Sequence, residues 1–436
     1  MRKKISLFTI LGLVVALIAT LSFSGCTPET QEAVESAVES VMEDVETAAE
    51  TTAAAETTAA ETTMAEDMDE IDPRIVEIRA PWEDLTTVTN LDWEGPLGEK
   101  PQLYDSVYLT KGEVEKLRAG KEDGTPYTYA IAANNTAGEY SLAMNASDQS
   151  GIAEWMEYCG VEQVAFASAE FDPVKQKADV ETIIALQPDI ICGYATDPVT
   201  GAENFKPALD AGIDLAFIST VPDGYEYGKD FIGITTNNPT EIGNFTAAEV
   251  ARIFGEDAIV GYVFYDDVYF VCNYIDDGFI DYVEATYPDM TLETQGYVAE
   301  ISAADTATGM ITANPDIEVF STTYMVPAMH IQSALAQSGR DDVGIVTFGL
   351  DAPILINLIE GGQVKSVTTD SPYLVGLNHA LQACYALLDK PLEQPSFLVC
   401  PTTFVTRDNV REIWPLAMGS VPFPDSVNDA LEAQGL

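Results

Sequence analysis

From residue 127 onward, short runs of apolar residues bounded by turn signals alternate with amphipathic stretches of about 10–15 residues, the pattern of βαβ units around a parallel sheet. The apolar runs predict strands over 129–133, 163–167, 190–194, 215–219, 259–264, 291–298, 319–322, 345–349 and 364–368. The amphipathic stretches predict helices over 151–159, 174–186, 240–254, 278–286 and 327–337. Asp189-Ile190-Ile191-Cys192-Gly193 is apolar on both faces, as a strand covered by helices on each side must be. Ahead of this region, 73–126 is broken by Pro and Gly and predicts one helix, 111–119; it is expected to lie over a lobe as an ordered extension.

The alternation repeats. Gln187-Pro188-Asp189-Ile190 ends a helix and opens a strand, and Asn314-Pro315-Asp316-Ile317 does the same in the second half. Each is followed by a helix, a turn (Ala211-Gly212, Ser338-Gly339) and another strand. Two lobes of like topology follow. The alternative is that Pro-Asp is merely a common helix-to-strand joint. Ligands of open parallel sheets gather at the carboxyl ends of the strands, so two facing lobes would share one groove.

At the N-terminus, Arg2, Lys3 and Lys4 precede an apolar run over 5–23 and then Ser24-Gly25-Cys26. This is a secretory signal over 1–25. Its ending resembles a bacterial lipobox, in which Cys26 is lipidated and becomes the first mature residue, although Phe23 stands where Leu is preferred. An uncleaved membrane helix is the alternative. Residues 26–72 lack Lys and Arg and are dominated by Ala, Thr and Glu, too little apolar bulk for a core, so they read as an acidic, solvated tether. Val34, Val38, Val41 and Val45 recur at helical spacing and leave a short stalk helix as the other reading.

Charge narrows the partners. Lys+Arg 20 against Asp+Glu 71 gives −51 over 436 residues, which excludes a backbone-tracking nucleic-acid binder and leaves a covalent or inserted anchor as the route to a membrane. Two histidines, His330 and His379, and six cysteines without a CxxC pair fit neither a zinc ribbon nor a disulfide scaffold. Asp266, Asp267, Asp276 and Asp277 lack a spaced calcium loop and read as a solvated acidic face. Nucleophile-elbow, P-loop, dinucleotide and zincin motifs are missing. No cofactor and no metal is expected.

The strand ends carry the candidate chemistry: Asn134, Asn135, Glu139 and Tyr140; Asp197; Thr220; then Tyr265, Asp266 and Asp267; Thr322, Thr323 and Tyr324; Asp351; Asp370. Carboxylates and amides take hydroxyls in directional hydrogen bonds, and rings cover C–H faces. The set suits a neutral polyhydroxylated ligand, or a cation through carboxylate pairing and cation–π contact.

Residues of about 112–415 resemble the sugar-binding type of ABC-transporter substrate-binding proteins, the ribose-binding-like class I fold. The resemblance rests on Thr196-Asp197-Pro198, Asp276-Asp277-Gly278-Phe279, Asn314-Pro315-Asp316, Gly349-Leu350-Asp351, Glu360-Gly361-Gly362-Gln363-Val364 and Asp370-Ser371-Pro372-Tyr373, in order and at family spacing. It implies an α/β protein of two Rossmann-like lobes with parallel sheets, joined by a three-strand hinge of three crossings, one lobe over 127–236 with about 370–397 and the other over 237–369 with about 398–436. It places Asn135 and Tyr140 in the first-strand loop, where a ring stacks on sugar, and Asp197 on the acid after the third strand. Asn273 falls roughly where the family has an arginine, and Thr323 near its second-lobe asparagine. Asp351 matches the Gly-x-Asp acid, and Asp370 replaces a usual glutamine. The function implied is a lipid-anchored receptor, with no catalysis, that delivers a sugar to an ABC permease with its ATPase. The rivals are a sensory receptor for a kinase or chemoreceptor and a surface glycoside hydrolase using paired carboxylates.

Overall fold

The computed structural model describes residues 71–436 apart from 84, 86–90, 137 and 268. The secretory signal, Cys26, the stalk-helix valines and the tether to residue 70 lie outside the described residues.

Thirteen strands build two sheets among the described residues. In chain order they are β1 Gln102–Leu103, β2 Thr128–Ala133, β3 Glu162–Ser168, β4 Ile190–Gly193, β5 Asp214–Ile218, β6 Ile234–Thr236, β7 Ile259–Tyr265, β8 Thr291–Tyr297, β9 Val319–Thr322, β10 Gly344–Phe348, β11 Val364–Asp370, β12 Phe397–Val399 and β13 Thr402–Val405. The first sheet runs β1-β12-β6-β5-β4-β2-β3, all pairs parallel. The second runs β13-β11-β10-β9-β7-β8, parallel except where β13 meets β11. β2 sits between β3 and β4 as β7 sits between β8 and β9. The two halves thus share one strand order, each with the switch point that leaves a crevice at the strands' carboxyl ends.

Strand periodicity explains the two-sided cores. Along β2, Tyr129, Ile131 and Ala133 face one cluster while Ala130 and Ala132 face another. β9 divides likewise, Phe320 to one side and Val319 to the other. Helices start where the chain supplies a cap and a proline: Asp172, Asp197, Asn238 and Ser371 each accept a backbone N–H of the first turn, with proline at the first helical position. The chain passes between sheets three times, after β6, after β11 and between β12 and β13.

Several elements escaped the sequence pattern. The helix expected from residue 278 begins at Phe270, where Phe270, Val271, Tyr274 and Ile275 carry an apolar face ahead of Gly278. Helix Pro372–Leu387 is buried along its whole length, so it has no amphipathic stripe to read. Segment 73–126 holds a second helix, Pro73–Glu83, besides the expected Lys111–Ala119, and adds β1 to the edge of the first sheet through β12. Strands β1, β6, β12 and β13 are two to four residues long, too short for a period of two to register.

Within that segment Trp93 touches both halves. Its ring lies 5.6 Å from Phe397 of β12 and 5.6 Å from Tyr274 in the helix after β7, with Phe270 at 6.2 Å. The Tyr274 hydroxyl donates to the Glu94 carbonyl at 3.1 Å. The cysteines at 159, 192, 272, 384 and 400 are free and buried.

Candidate functional site

The loop after β2 crosses to the other half of the molecule. Tyr140 donates its hydroxyl to Oδ2 of Asp370, the last residue of β11, at 2.9 Å. Asn135 accepts from the Ser141 hydroxyl at 3.1 Å and donates to Asn134 at 3.0 Å, which fixes the loop. Two residues before Tyr140, Gly138 has φ +77° and runs against Asp351; a Cβ there would stand 2.9 Å from Asp351 Oδ1. Only glycine allows that approach. Asp351 follows β10 and opens helix Ala352–Ile359 without capping it, so its carboxyl is turned to the Gly138–Glu139 loop. Asn135, Tyr140, Asp351 and Asp370 are therefore brought together.

Both acids are electrostatically stressed. Asp370 is fully buried, and its Oδ1 has no hydrogen-bond partner. Burial pushes its carboxyl up to about 7, against the pull of the Tyr140 hydroxyl and the Asn237 amide. Asp351 also reaches about 7, first by burial and then through its hydrogen bond and like charge with Glu139; its Oδ1 too lacks a partner. Burial and the facing Asp370 raise the Tyr140 hydroxyl well above its ordinary value, so it stays a donor.

The remaining candidates are held locally. Asp197 spends Oδ1 on the Thr200 N–H at 2.8 Å and Oδ2 on the Thr200 hydroxyl, as the cap of helix Pro198–Asp210. Asn273 accepts from the Tyr269 N–H at 2.9 Å and donates to the Asp267 carbonyl at 2.8 Å. Thr323 is buried and donates to Asp276 at 2.8 Å. Asp276 itself corrects the solvated-face reading: it is buried, accepts also from the Tyr262 hydroxyl and the Tyr265 N–H, and burial lifts it to about 7. Asp266, Asp267 and Asp277 are exposed. Among the described residues no group of three or more His, Cys, Asp or Glu is arranged to hold a metal.

Sequence reasoning passed over one contact. The hydroxyls of Tyr194, just beyond β4, and Tyr269, at the head of helix Phe270–Thr286, lie 3.2 Å apart across the groove. Tyr194 reads in the sequence as the end of an apolar strand, whereas β4 stops at Gly193 and leaves Tyr194 beyond it. Asn237, at the first crossing, was likewise not singled out.

A family model described as a periplasmic binding protein domain matches residues 135–391. No curated protein matches the chain in sequence. Among solved structures, an ABC transporter solute-binding protein from Agrobacterium vitis bound with alpha-D-tagatopyranose aligns at 20% identity and TM-score 0.56, over 65% of this chain and 96% of that one. An arabinose-binding protein from Geobacillus stearothermophilus aligns at 17% identity and TM-score 0.59, over 66% and 98%. A solute-binding protein from Bacillus halodurans with bound myo-inositol aligns at 17% and TM-score 0.55, again over 66% and 98%. At these identities the likeness is one of fold.

Proposed function

The chain belongs to the periplasmic binding protein domain family, and from that premise we propose that it is an extracytoplasmic solute-binding protein that closes two lobes over a small polar ligand, a sugar or polyol, and delivers it to an ABC permease. The observation that carries this reading is the pair of carboxylates, Asp351 and Asp370, each keeping one oxygen without a partner where the two halves meet beside Tyr140. Such oxygens are acceptors in want of donors, and hydroxyl groups supply them. Ligand that touches both lobes stabilises only the closed arrangement, and a permease reads that shape. The solved relatives with bound tagatose and myo-inositol support the ligand class.

Asn135, Tyr140, Asp351 and Asp370 are proposed as direct contacts. Asp197, Asn273 and Thr323 are proposed to act from the groove's edge, through whatever acceptor and donor capacity their local bonds leave. Hydrolysis fits poorly, because Glu139 and Asp351 share a hydrogen bond, closer than the ~5 Å that retaining glycosidases hold between their carboxyls. Titration calorimetry with tagatose, arabinose, allose and myo-inositol is expected to give saturable binding without turnover. Asp351→Ala should weaken it more than tenfold, about 1.4 kcal/mol; affinity within threefold of the parent would remove Asp351 from the site.

We further propose that Cys26 carries the lipid that holds the protein on the outer face of the cell membrane. Cys26→Ser should move the protein from the membrane pellet to the soluble fraction on cell fractionation. Retention in the pellet would show that residues 5–23 act as an uncleaved anchor instead.

A further inference from the structure

Resting on that receptor reading, we propose that the ligand carries a protonated nitrogen, an amino-substituted polyhydroxyl compound, received by Asp351 with Glu139 and by Asp370. The first argument is an imbalance of charge. The loop after β2 engages carboxyls at the ends of two strands: Glu139 shares a hydrogen bond with Asp351 after β10, and Tyr140 donates to Asp370 at the end of β11. The ion pairs among the described residues involve none of the three, and the groups acting on Asp351 and Asp370 include no lysine or arginine. A neutral sugar brings no countercharge to these acids, whereas an ammonium lets each ionise against it in a charge-assisted hydrogen bond, roughly twice as strong as a neutral one.

The second argument is independent of the acidity. Asp370 is wholly buried with Oδ1 unpartnered, and a buried acceptor without a donor is an unfavourable state that a bound group must relieve. Its other oxygen is fixed by Tyr140, so the orientation of the free one is built rather than accidental. The residues that make a groove attractive to anions, arginine and lysine, are missing from every one of these contacts.

The test uses matched pairs that differ only at nitrogen, titrated into the full chain in detergent: glucosamine against glucose and N-acetylglucosamine, galactosamine against galactose, mannosamine against mannose. The expected result is that an amine binds at least tenfold more tightly than its neutral partners at pH 7. Asp351→Asn should then erase most of that ratio, because the amine loses its charged partner and falls further in affinity than the neutral sugar does. Circular dichroism of the variant checks that it remains folded, and Glu139→Gln gives a second route to the same loss. Neutral sugars that bind as tightly as their amines, or more tightly, overturn the nitrogen while the sugar-receptor reading stands. Failure of every sugar and every amino sugar to bind overturns both.

Discussion

Gly243→Ala is expected to lower stability by about 3 kcal/mol, the upper end of what overpacking costs. A methyl at residue 243 would stand 2.2 Å from the Ile275 carbonyl oxygen and 2.5 Å from the Phe279 nitrogen. Both are backbone atoms of helix Phe270–Thr286, which cannot rotate away as a side chain could. Its counterpart Gly278 meets the Thr240 carbonyl at 2.6 Å, so the two helices cross on a pair of glycines and one of them must shift bodily. Helix propensity alone would favour alanine by about 1 kcal/mol, which makes the sign of the result informative. Gly309 supplies the control: it lies in helix Ala303–Ala313 with nothing within 4 Å of the added carbon, and Gly309→Ala should stabilise by about 0.5–1 kcal/mol. Denaturant midpoints of the two variants should move in opposite directions. An unchanged midpoint for Gly243→Ala would mean that the crossing has slack.

Asp370→Asn is expected to flatten the dependence of stability on pH. The folded carboxyl titrates near 7 and its unfolded counterpart near 4. Between those values the native state holds a proton that the unfolded chain has released, so stability falls as pH rises from about 4 to about 7 and is level above. Three units correspond to about 4 kcal/mol at most. Buried Asp276, raised to about 7 as well, adds loss in the same window. Asparagine keeps the acceptor for Tyr140 and cannot ionise. The variant should therefore exceed the parent by about 2–4 kcal/mol at pH 8 and by little at pH 4.5, while binding ligand more weakly. Equal pH slopes in melting curves of parent and variant would show that Asp370 is already solvated in the native state.

How much of this was legible depended on how each element meets water. Strands such as β4 and β7, framed by turns, announced themselves as unbroken apolar runs. Asp351 was visible as the first charged residue after an apolar run, and Asp370 as the acid where a strand gives way to Ser371-Pro372. Helix Pro372–Leu387 was not visible, since burial on every side erases the polar stripe that marks a surface helix. Nor could a linear pattern separate Asp351, turned toward the loop after β2, from Asp197, turned back on its own helix; both are acids at a strand-to-helix joint followed by proline within two residues. What distinguishes them is the partner, and the partner of Asp351 lies more than two hundred residues earlier at Gly138.

The position of Trp93 bears on how tightly any ligand is held. Phe397 belongs to the sheet of one lobe, while Phe270 and Tyr274 ride on the helix that follows the first strand of the other. When the lobes part, one indole cannot follow both, and each aromatic pair surrendered costs about 0.5–1.5 kcal/mol. The closed population of the empty protein is raised by that amount, and apparent affinity rises with it in proportion. The increment is the same for every ligand, because it belongs to the closure of the empty protein. In the proposed mechanism the N-terminal extension thus sets the gain of the receptor, and the acids at the strand ends set its selectivity.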